Sequence, residues 1–418
     1  MTKNKRDLPK GVDVLPSGRY RLRRRINSEV YVDSDSSLEE LMHRFEERQR
    51  EFSEGRRASL ASYTVEKFFC KWMDSVVENT IKISTLRCKE SMFYVHVNPV
   101  FGKRYMDEIS TLEINDFLKK KVESGLKESS VLMLRSFLNT MFNAAVAMRV
   151  VTTNPVVSVK LTKEASDSYL LSETPHEPEV SSAAIDAEEL AQVLQVMSSS
   201  EYFRFLKFVA LTGLRGGECA ALRKSRLKED RLIIDATLSR LYSRKYDVMC
   251  NSLRTTKTRS GNRILILDDV AKSILQEQLR ENEVNSAKYD WQPCNVLVGD
   301  KEPTAVMTVI DDFIFRKSKT GEPYILANVD SILKNSISSY NRKTGSSLPV
   351  ITVHVLRHTF ATLARTSNVN PEMLQRVLGH SDFSTTNETY LNYKPETVHE
   401  AVKGFVSELA SVTKGKTE

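Results

Sequence analysis

Polar and apolar residues alternate with a period of two from Arg19 to Ile26. Tyr20, Leu22, Arg24 and Ile26 fall on one side of the strand this predicts, and Arg19, Arg21, Arg23 and Arg25 on the other. A short strand at GVDV precedes it across the turn Pro16-Ser17-Gly18, and EVYV follows the turn Asn27-Ser28. The period then lengthens. Leu38, Leu41, Met42 and Phe45 recur at helical spacing behind a Ser36…Glu39 capping box, so SLEELMHRFEERQREF is predicted to be a helix that covers the sheet. Residues 1–57 read as a β-β-β-α unit.

Helical spacing continues through residues 58–160. YTVEKFFCKWMDSVV is amphipathic, and Val131, Leu134, Leu138, Met141, Phe142 and Ala145 form one apolar stripe, read as core. Four helices are predicted, closed by Asn154-Pro155. Lys82, Thr85 and Lys89 lie off the apolar stripe of the second helix and are candidate contacts for an anionic partner. The run Lys119-Lys120-Lys121 reads as a solvated face. Residues 161–184 change character to Pro, Ser and acidic residues, an exposed linker poorly suited to phosphate. Residues 185–418 mix strands (RLIIDA, NRILIL) with a majority of helices (AEELAQVLQVM, YFRFLKFVALTG). The chain closes on a helix with a stripe of Val398, Val402, Phe405 and Leu409, which could pack on its own domain or on a neighbouring subunit. The fold class expected is multidomain α+β.

At 418 residues the chain has room for two or three domains, and a hydrophobic content of 40% is that of globular domains. A net charge of +7 biases it mildly toward an anionic partner. No apolar run approaches the roughly 20 residues that span a bilayer, and MTKNKRDLPKG lacks the apolar core of a signal peptide. Cys70, Cys88, Cys219, Cys250 and Cys294 are scattered without a CxxC pair, which points to reduced thiols in a cytoplasm. No Walker loop and no paired carboxylates mark a nucleotide or two-metal site, so no cofactor or metal is expected.

The chemistry concentrates in a few short stretches. TGLRGGE places Arg215 at a turn opening into a helix, with Glu218 three residues on. TTKTRSGNRILIL places Lys257 in a loop before a strand. HVLRHTFATLA sets His354 and Arg357 on one helical face, and LGHSDFSTTNETY carries His380 and, ten residues later, Tyr390. Arginine presents a planar fork that grips two phosphate oxygens and never deprotonates. A phenol activated by neighbouring cations can attack phosphorus. Arg215 and Arg357 are therefore the candidate clamp, His380 and His354 the candidate hydrogen-bond donors or proton carriers, and Tyr390 the candidate nucleophile. Tyr393, about one helical turn on, is the rival nucleophile, His358 is read as structural, and a plain capping role competes for Glu218.

These motifs, in this order, resemble the tyrosine recombinase (phage integrase) family, and the resemblance extends over nearly the whole chain. It implies a phosphotyrosine intermediate, with Lys257 as general acid to the departing 5′-hydroxyl, Glu218 supporting Arg215, and no ATP. It further implies an arm-binding domain at 1–57 using Arg19, Arg21, Arg23 and Arg25, a core-binding domain at 58–160, and a catalytic domain at 185–418. The partners so implied are double-stranded DNA at attachment core and arm sites and three further copies of the chain in a tetramer that passes through a Holliday junction, with an excisionase or host DNA-bending protein as a further candidate. Integration and excision of a phage or conjugative element is the expected role. A catalytically silent DNA-binding regulator of the same fold, a chromosome-dimer resolvase and a type IB topoisomerase activity are the rivals.

Overall fold

A computed structural model describes residues 8–15, 18–26, 29–60, 63–74, 81–157, 183–256, 261–379 and 395–412. The chain forms two compact units, residues 1–77 with 88–172 and residues 78–87 with 173–418. The expected linker at 161–184 lies almost wholly outside the described residues.

In the first unit β1 (Val12–Val14), β2 (Tyr20–Ile26) and β3 (Glu29–Asp35) make an antiparallel sheet in sequence order. The period-two pattern places Leu22 on its inner face, where it is fully buried with Leu41 and Phe45 of α1 (Leu38–Leu60). Arg24 shares that face and lays its guanidinium over the Phe45 ring at 5.4 Å. The helix cap is shifted by one residue from the expected Ser36. Ser37 Oγ accepts from the Glu40 amide at 3.4 Å, while Ser36 donates to Asp35. The helix also runs past its expected end, to Leu60.

The helical stretch comprises α2 (Val65–Trp72), α3 (Ile83–Ser91) leading through a π-helical turn (Met92–Val97) into α4 (Asn98–Phe101), α5 (Thr111–Glu123) and α6 (Glu128–Ala147). All six residues of the predicted α6 stripe are buried. Phe69 stacks on Phe93 with centroids 3.7 Å apart. Asn154 closes the segment by donating to Asn139 and Asn143 and accepting from the Val156 amide at 2.8 Å.

The second unit contains α7 (Ala187–Val196), α8 (Phe203–Thr212), α9 (Gly216–Ala220), β4 (Leu227–Lys228), β5 (Arg231–Ile234), β6 (Ala236–Ser243), β7 (Val248–Thr255), β8 (Arg263–Ile266), α10 (Asp269–Tyr289), β9 (Cys294–Val298), β10 (Val306–Ile310), α11 (Leu326–Thr344), α12 (Val353–Thr366), α13 (Pro371–Leu378) and α14 (Pro395–Val412). One sheet runs β10-β9-β7-β6 and the other β4-β5-β8. RLIIDA, expected to be β-rich, is divided at Asp235 between two strands, because β5 and β6 belong to different sheets. The successive strands β7 and β8 likewise lie in different sheets, the larger and the smaller. The stripe on α14 settles on its own unit, with Val402, Phe405 and Leu409 in the main core and Phe405 edge-on to Phe360 at 5.3 Å. Among the described residues no helix is long and apolar enough to cross a membrane.

Candidate active site

The site begins at a backbone turn. Helix α8 stops at Gly213, whose φ of 64° is left-handed, and a Cβ there would fall 2.5 Å from Phe360 and 2.9 Å from Leu378. The turn sends Leu214 into the core and sets Arg215 as N-cap of α9. Arg215 is locked there by Glu218, whose Oε2 accepts from the Arg215 amide at 3.2 Å and whose Oε1 accepts from Nη1 at 2.8 Å.

Arg357 arrives from α12 and is 4% exposed. The start of that helix is fixed from outside. Thr352 supplies no side-chain cap, and Asp330 of α11 accepts from the Val353 amide at 2.8 Å. Arg357 donates to the Gly213 carbonyl at 2.8 Å and the Leu378 carbonyl at 2.6 Å. Burial, and then the neighbouring charge of Arg215, push its pKa down to about 10, which leaves it charged at neutral pH.

A third arginine completes the group. Arg263, first residue of β8, donates to Glu218 Oε2 at 2.9 Å, to the Val377 carbonyl at 2.8 Å and to the Gly261 carbonyl at 3.0 Å. Helix α13 thus ends with three successive carbonyls, of Val377, Leu378 and Gly379, capped by Arg263, Arg357 and Arg215 respectively. The negative end of a helix dipole gathers cations here, and the next residue in the chain is His380. Glu218, 2% exposed, is the one carboxylate paired with Arg215 and Arg263 among the described residues. Burial drives its carboxyl upward, and Arg263 and Arg215 more than offset that, so it stays below the usual range.

His354 stands at the exposed edge of α12, edge-on to His358 with centroids 4.5 Å apart. Partial burial, then the charges of His358, Arg357 and Arg215, hold its pKa below the ordinary imidazole value, with Asp330 opposing. It is therefore neutral at neutral pH.

Residues 183–397, a little over half the chain, match the phage integrase family. The chain belongs to that family. Its members are enzymes that cleave and rejoin DNA. Residues 64–122 match the N-terminal SAM-like domain of phage integrases. Among relatives, a tyrosine recombinase XerC-like protein of Caldanaerobacter subterraneus subsp. tengcongensis is 23% identical over 343 residues, covering 79% of this chain and 80% of the relative. The transposase from transposon Tn916 of Enterococcus faecalis is 24% identical over 326 residues, covering 76% and 70%. In fold, the Tn1549 transposon integrase in complex with a circular intermediate DNA superposes with a TM-score of 0.59 at 18% identity, covering 83% of this chain and 100% of that one. A lambda integrase tetramer bound to a Holliday junction gives 0.54 at 16% identity, covering 92% and 99%.

Within this integrase-family chain the site residues read from sequence divide into two groups. Arg215, Glu218, His354 and Arg357 come together as described. Lys257, His380 and Tyr390, with the rival Tyr393, lie outside the described residues. Arg263 and Asp330 went unread in the sequence. The signal for Arg263 was an arginine at the head of a strand directly after the lysine loop. Of the residues assigned to DNA, Arg19 donates to the Ser34 carbonyl at 3.2 Å, Arg21 pairs with Asp13 through an Nε bond of 3.1 Å, and Arg23 is exposed. The Arg25 side chain lies outside the described residues. Thr85 is exposed, Lys82 pairs with Asp300 at 3.3 Å, and Lys89 lies over the rings of Trp72 and Phe137 at 5.2 and 5.7 Å.

Proposed function

We propose that this chain is a site-specific recombinase that integrates and excises a mobile element through a 3′-phosphotyrosine intermediate. The observation that carries the reading is the convergence of Arg263, Arg357 and Arg215 on three successive carbonyls at the end of α13, with Glu218, the one carboxylate there among the described residues, paired to Arg215 and Arg263. Three positive charges against one negative leave a surplus of two. A phosphodiester carries one negative charge and its transition state about two, so preorganised donors here favour the transition state over the substrate.

In the proposed reaction Tyr390 loses its proton to solvent, favoured by the surrounding cations, and its phenolate oxygen attacks the scissile phosphorus. A Tyr390 oxygen–phosphorus bond forms as the phosphorus–O5′ bond breaks, and Lys257 gives its proton to the departing O5′. Arg215 and Arg357 hold the non-bridging oxygens, while His354 and His380 donate hydrogen bonds. Attack by a new 5′-hydroxyl reverses these steps on another strand, so the bond energy is kept and no ATP is consumed. Four copies on two duplexes would exchange strands through a Holliday junction. The arm-type sheet at 1–57 favours integration and excision over a chromosome-dimer resolvase, with the helical domain at 58–160 on the core site and 185–418 as the catalytic domain. An excisionase or a host bending protein would set direction. A silent regulator of this fold would be expected to have lost members of the site, and this sequence keeps them all.

The test is a nicked duplex carrying the attachment core, with the covalent protein–DNA adduct resolved on a denaturing gel. Tyr390→Phe is expected to bind the duplex and form no adduct. An adduct that survives in Tyr390→Phe and vanishes in Tyr393→Phe would move the nucleophile, and none in the unaltered chain would favour the regulator.

A further inference from the structure

The described residues on either side of 257–260 are tied down. On the far side, Thr256 Oγ1 donates to the Asn262 side-chain carbonyl at 2.8 Å and Arg263 holds the Gly261 carbonyl at 3.0 Å. On the near side sits a cluster that the chemistry above does not use. Asp300, in the turn after β9, accepts from the Thr255 amide at 3.0 Å and from the Thr255 hydroxyl. Lys82 closes the cluster, with its ammonium 3.3 Å from the Asp300 carboxylate, 3.1 Å from Thr255 Oγ1 and 3.4 Å from the Thr256 carbonyl.

Lys82 is held there by its neighbours. The Ile83 amide donates to the Asp300 carbonyl at 2.8 Å, and the Ile83 side chain is fully buried among Leu241, Cys250, Leu297 and Ala305. Arg87 reaches the buried carboxylate of Glu302 at 2.8 Å and the Tyr242 carbonyl at 2.7 Å. Glu302 in turn accepts from Ser243 and from the Lys245 amide. These bonds make residues 82–87 part of the catalytic unit, though they lie about a hundred residues before the rest of it.

We infer that Lys82, Asp300 and Thr255 form a positioning cluster that fixes the loop root two residues before Lys257, and so the geometry of proton delivery to the departing O5′. This rests on the reading of Lys257 as general acid. It assigns Lys82 a role different from a phosphate contact, since its ammonium is committed to a carboxylate, a hydroxyl and a carbonyl of the same unit.

The full chain is tested on two duplexes, one with the natural 5′-oxygen at the scissile phosphate and one with sulfur in that bridging position. A thiolate is a far weaker base than an alkoxide and leaves without a proton. Lys257→Ala is expected to slow adduct formation on oxygen by about 100-fold or more and to recover on sulfur. Lys82→Met and Asp300→Asn are expected to lose about 10-fold to 100-fold on oxygen and to stay within about twofold of the unaltered chain on sulfur. Lys82→Arg, which keeps the ion pair, should hold the oxygen rate within a few-fold and shows that the site still folds when its charge is kept. Equal losses on both duplexes for Lys82→Met would overturn the proposal. So would a weaker DNA affinity with a shallower salt dependence, which would make Lys82 a phosphate ligand. If Lys257→Ala fails to recover on sulfur, the general-acid reading falls and takes this one with it. If Lys257→Ala recovers and Lys82→Met does not, only the cluster falls.

Discussion

Arg215 and Arg357 donate to adjacent backbone carbonyls, those of Gly379 and Leu378, at 3.2 and 2.6 Å. They lie on α9's cap and on α12, and no local pattern joins them. What unites them is the negative end of α13, whose unpaired carbonyls need donors. That helix also delivers the chain to His380. The clamp and the segment that follows it are therefore built on one feature, and changes at one should be felt at the other.

Arg263→Ala tests the third arginine. It would strip Glu218 of one partner in a nearly dry environment, and loss of one member of a buried pair costs about 3–5 kcal/mol. Thermal unfolding should show a clear drop, and adduct formation should slow by about 10-fold or more as Arg215 loosens. Arg263→Lys keeps the charge but not the three-way fork, and should recover stability better than rate. Equal recovery of both would argue that the geometry of Arg263 is unimportant.

The Glu218 carboxyl titrates below its usual range in the folded chain. Its stabilisation is then fully present above the unfolded carboxylate value of about 4.3 and is lost as pH falls through the lower folded value. Melting temperatures of the unaltered chain and of Glu218→Gln should differ most at neutral pH and converge in acid. A gap that stays constant across the range would contradict the assignment.

His354 is held below the ordinary imidazole value and so takes up its proton at a lower pH than a free imidazole does. Adduct formation should have an acid limb in that region if neutral His354 takes part, and His354→Gln should flatten it. Because the folded value is lowered, protonating His354 at acid pH disfavours the folded state, so the variant should also lose less stability there. An unchanged limb in His354→Gln would assign it to another group.

In the sheet of β1, β2 and β3, proposed to bind arm sites, Arg21 must break its bond to Asp13 before it can meet phosphate, whereas Arg23 is exposed. Arg23→Ala should therefore weaken distal-site binding more than Arg21→Ala, and should lower the salt slope by about one for each phosphate it no longer neutralises. Cleavage at isolated core sites should persist in both. Filter binding across a salt series decides, and equal effects would mean that Asp13 does not restrain Arg21.

The sequence carried what depends on short-range periodicity. Leu22 and Leu41 face each other because strand and helix patterns specify that face, and Arg215, Glu218, His354 and Arg357 were found because each lies in a compact motif. The misses share another cause. Arg263 and Asp330 act across the fold, on residues 45 and 23 positions away in sequence, and neither sits in a pattern that declares a partner. The division of RLIIDA between two sheets depends on which strand pairs with which, and Asp235 alone does not announce it. Lys82 reads in sequence as a candidate DNA contact because its partner Asp300 is more than two hundred residues distant.

The docking of α14 also limits the reach of the proposed nucleophile. Pro395 and Arg263 line the same groove of about 290 Å³, and Tyr390 precedes Pro395 by five residues. Whatever course the intervening chain takes, five residues reach at most about 18 Å. The backbone of the proposed nucleophile is thereby tethered, by chain length alone, to a helix that shares a groove with Arg263.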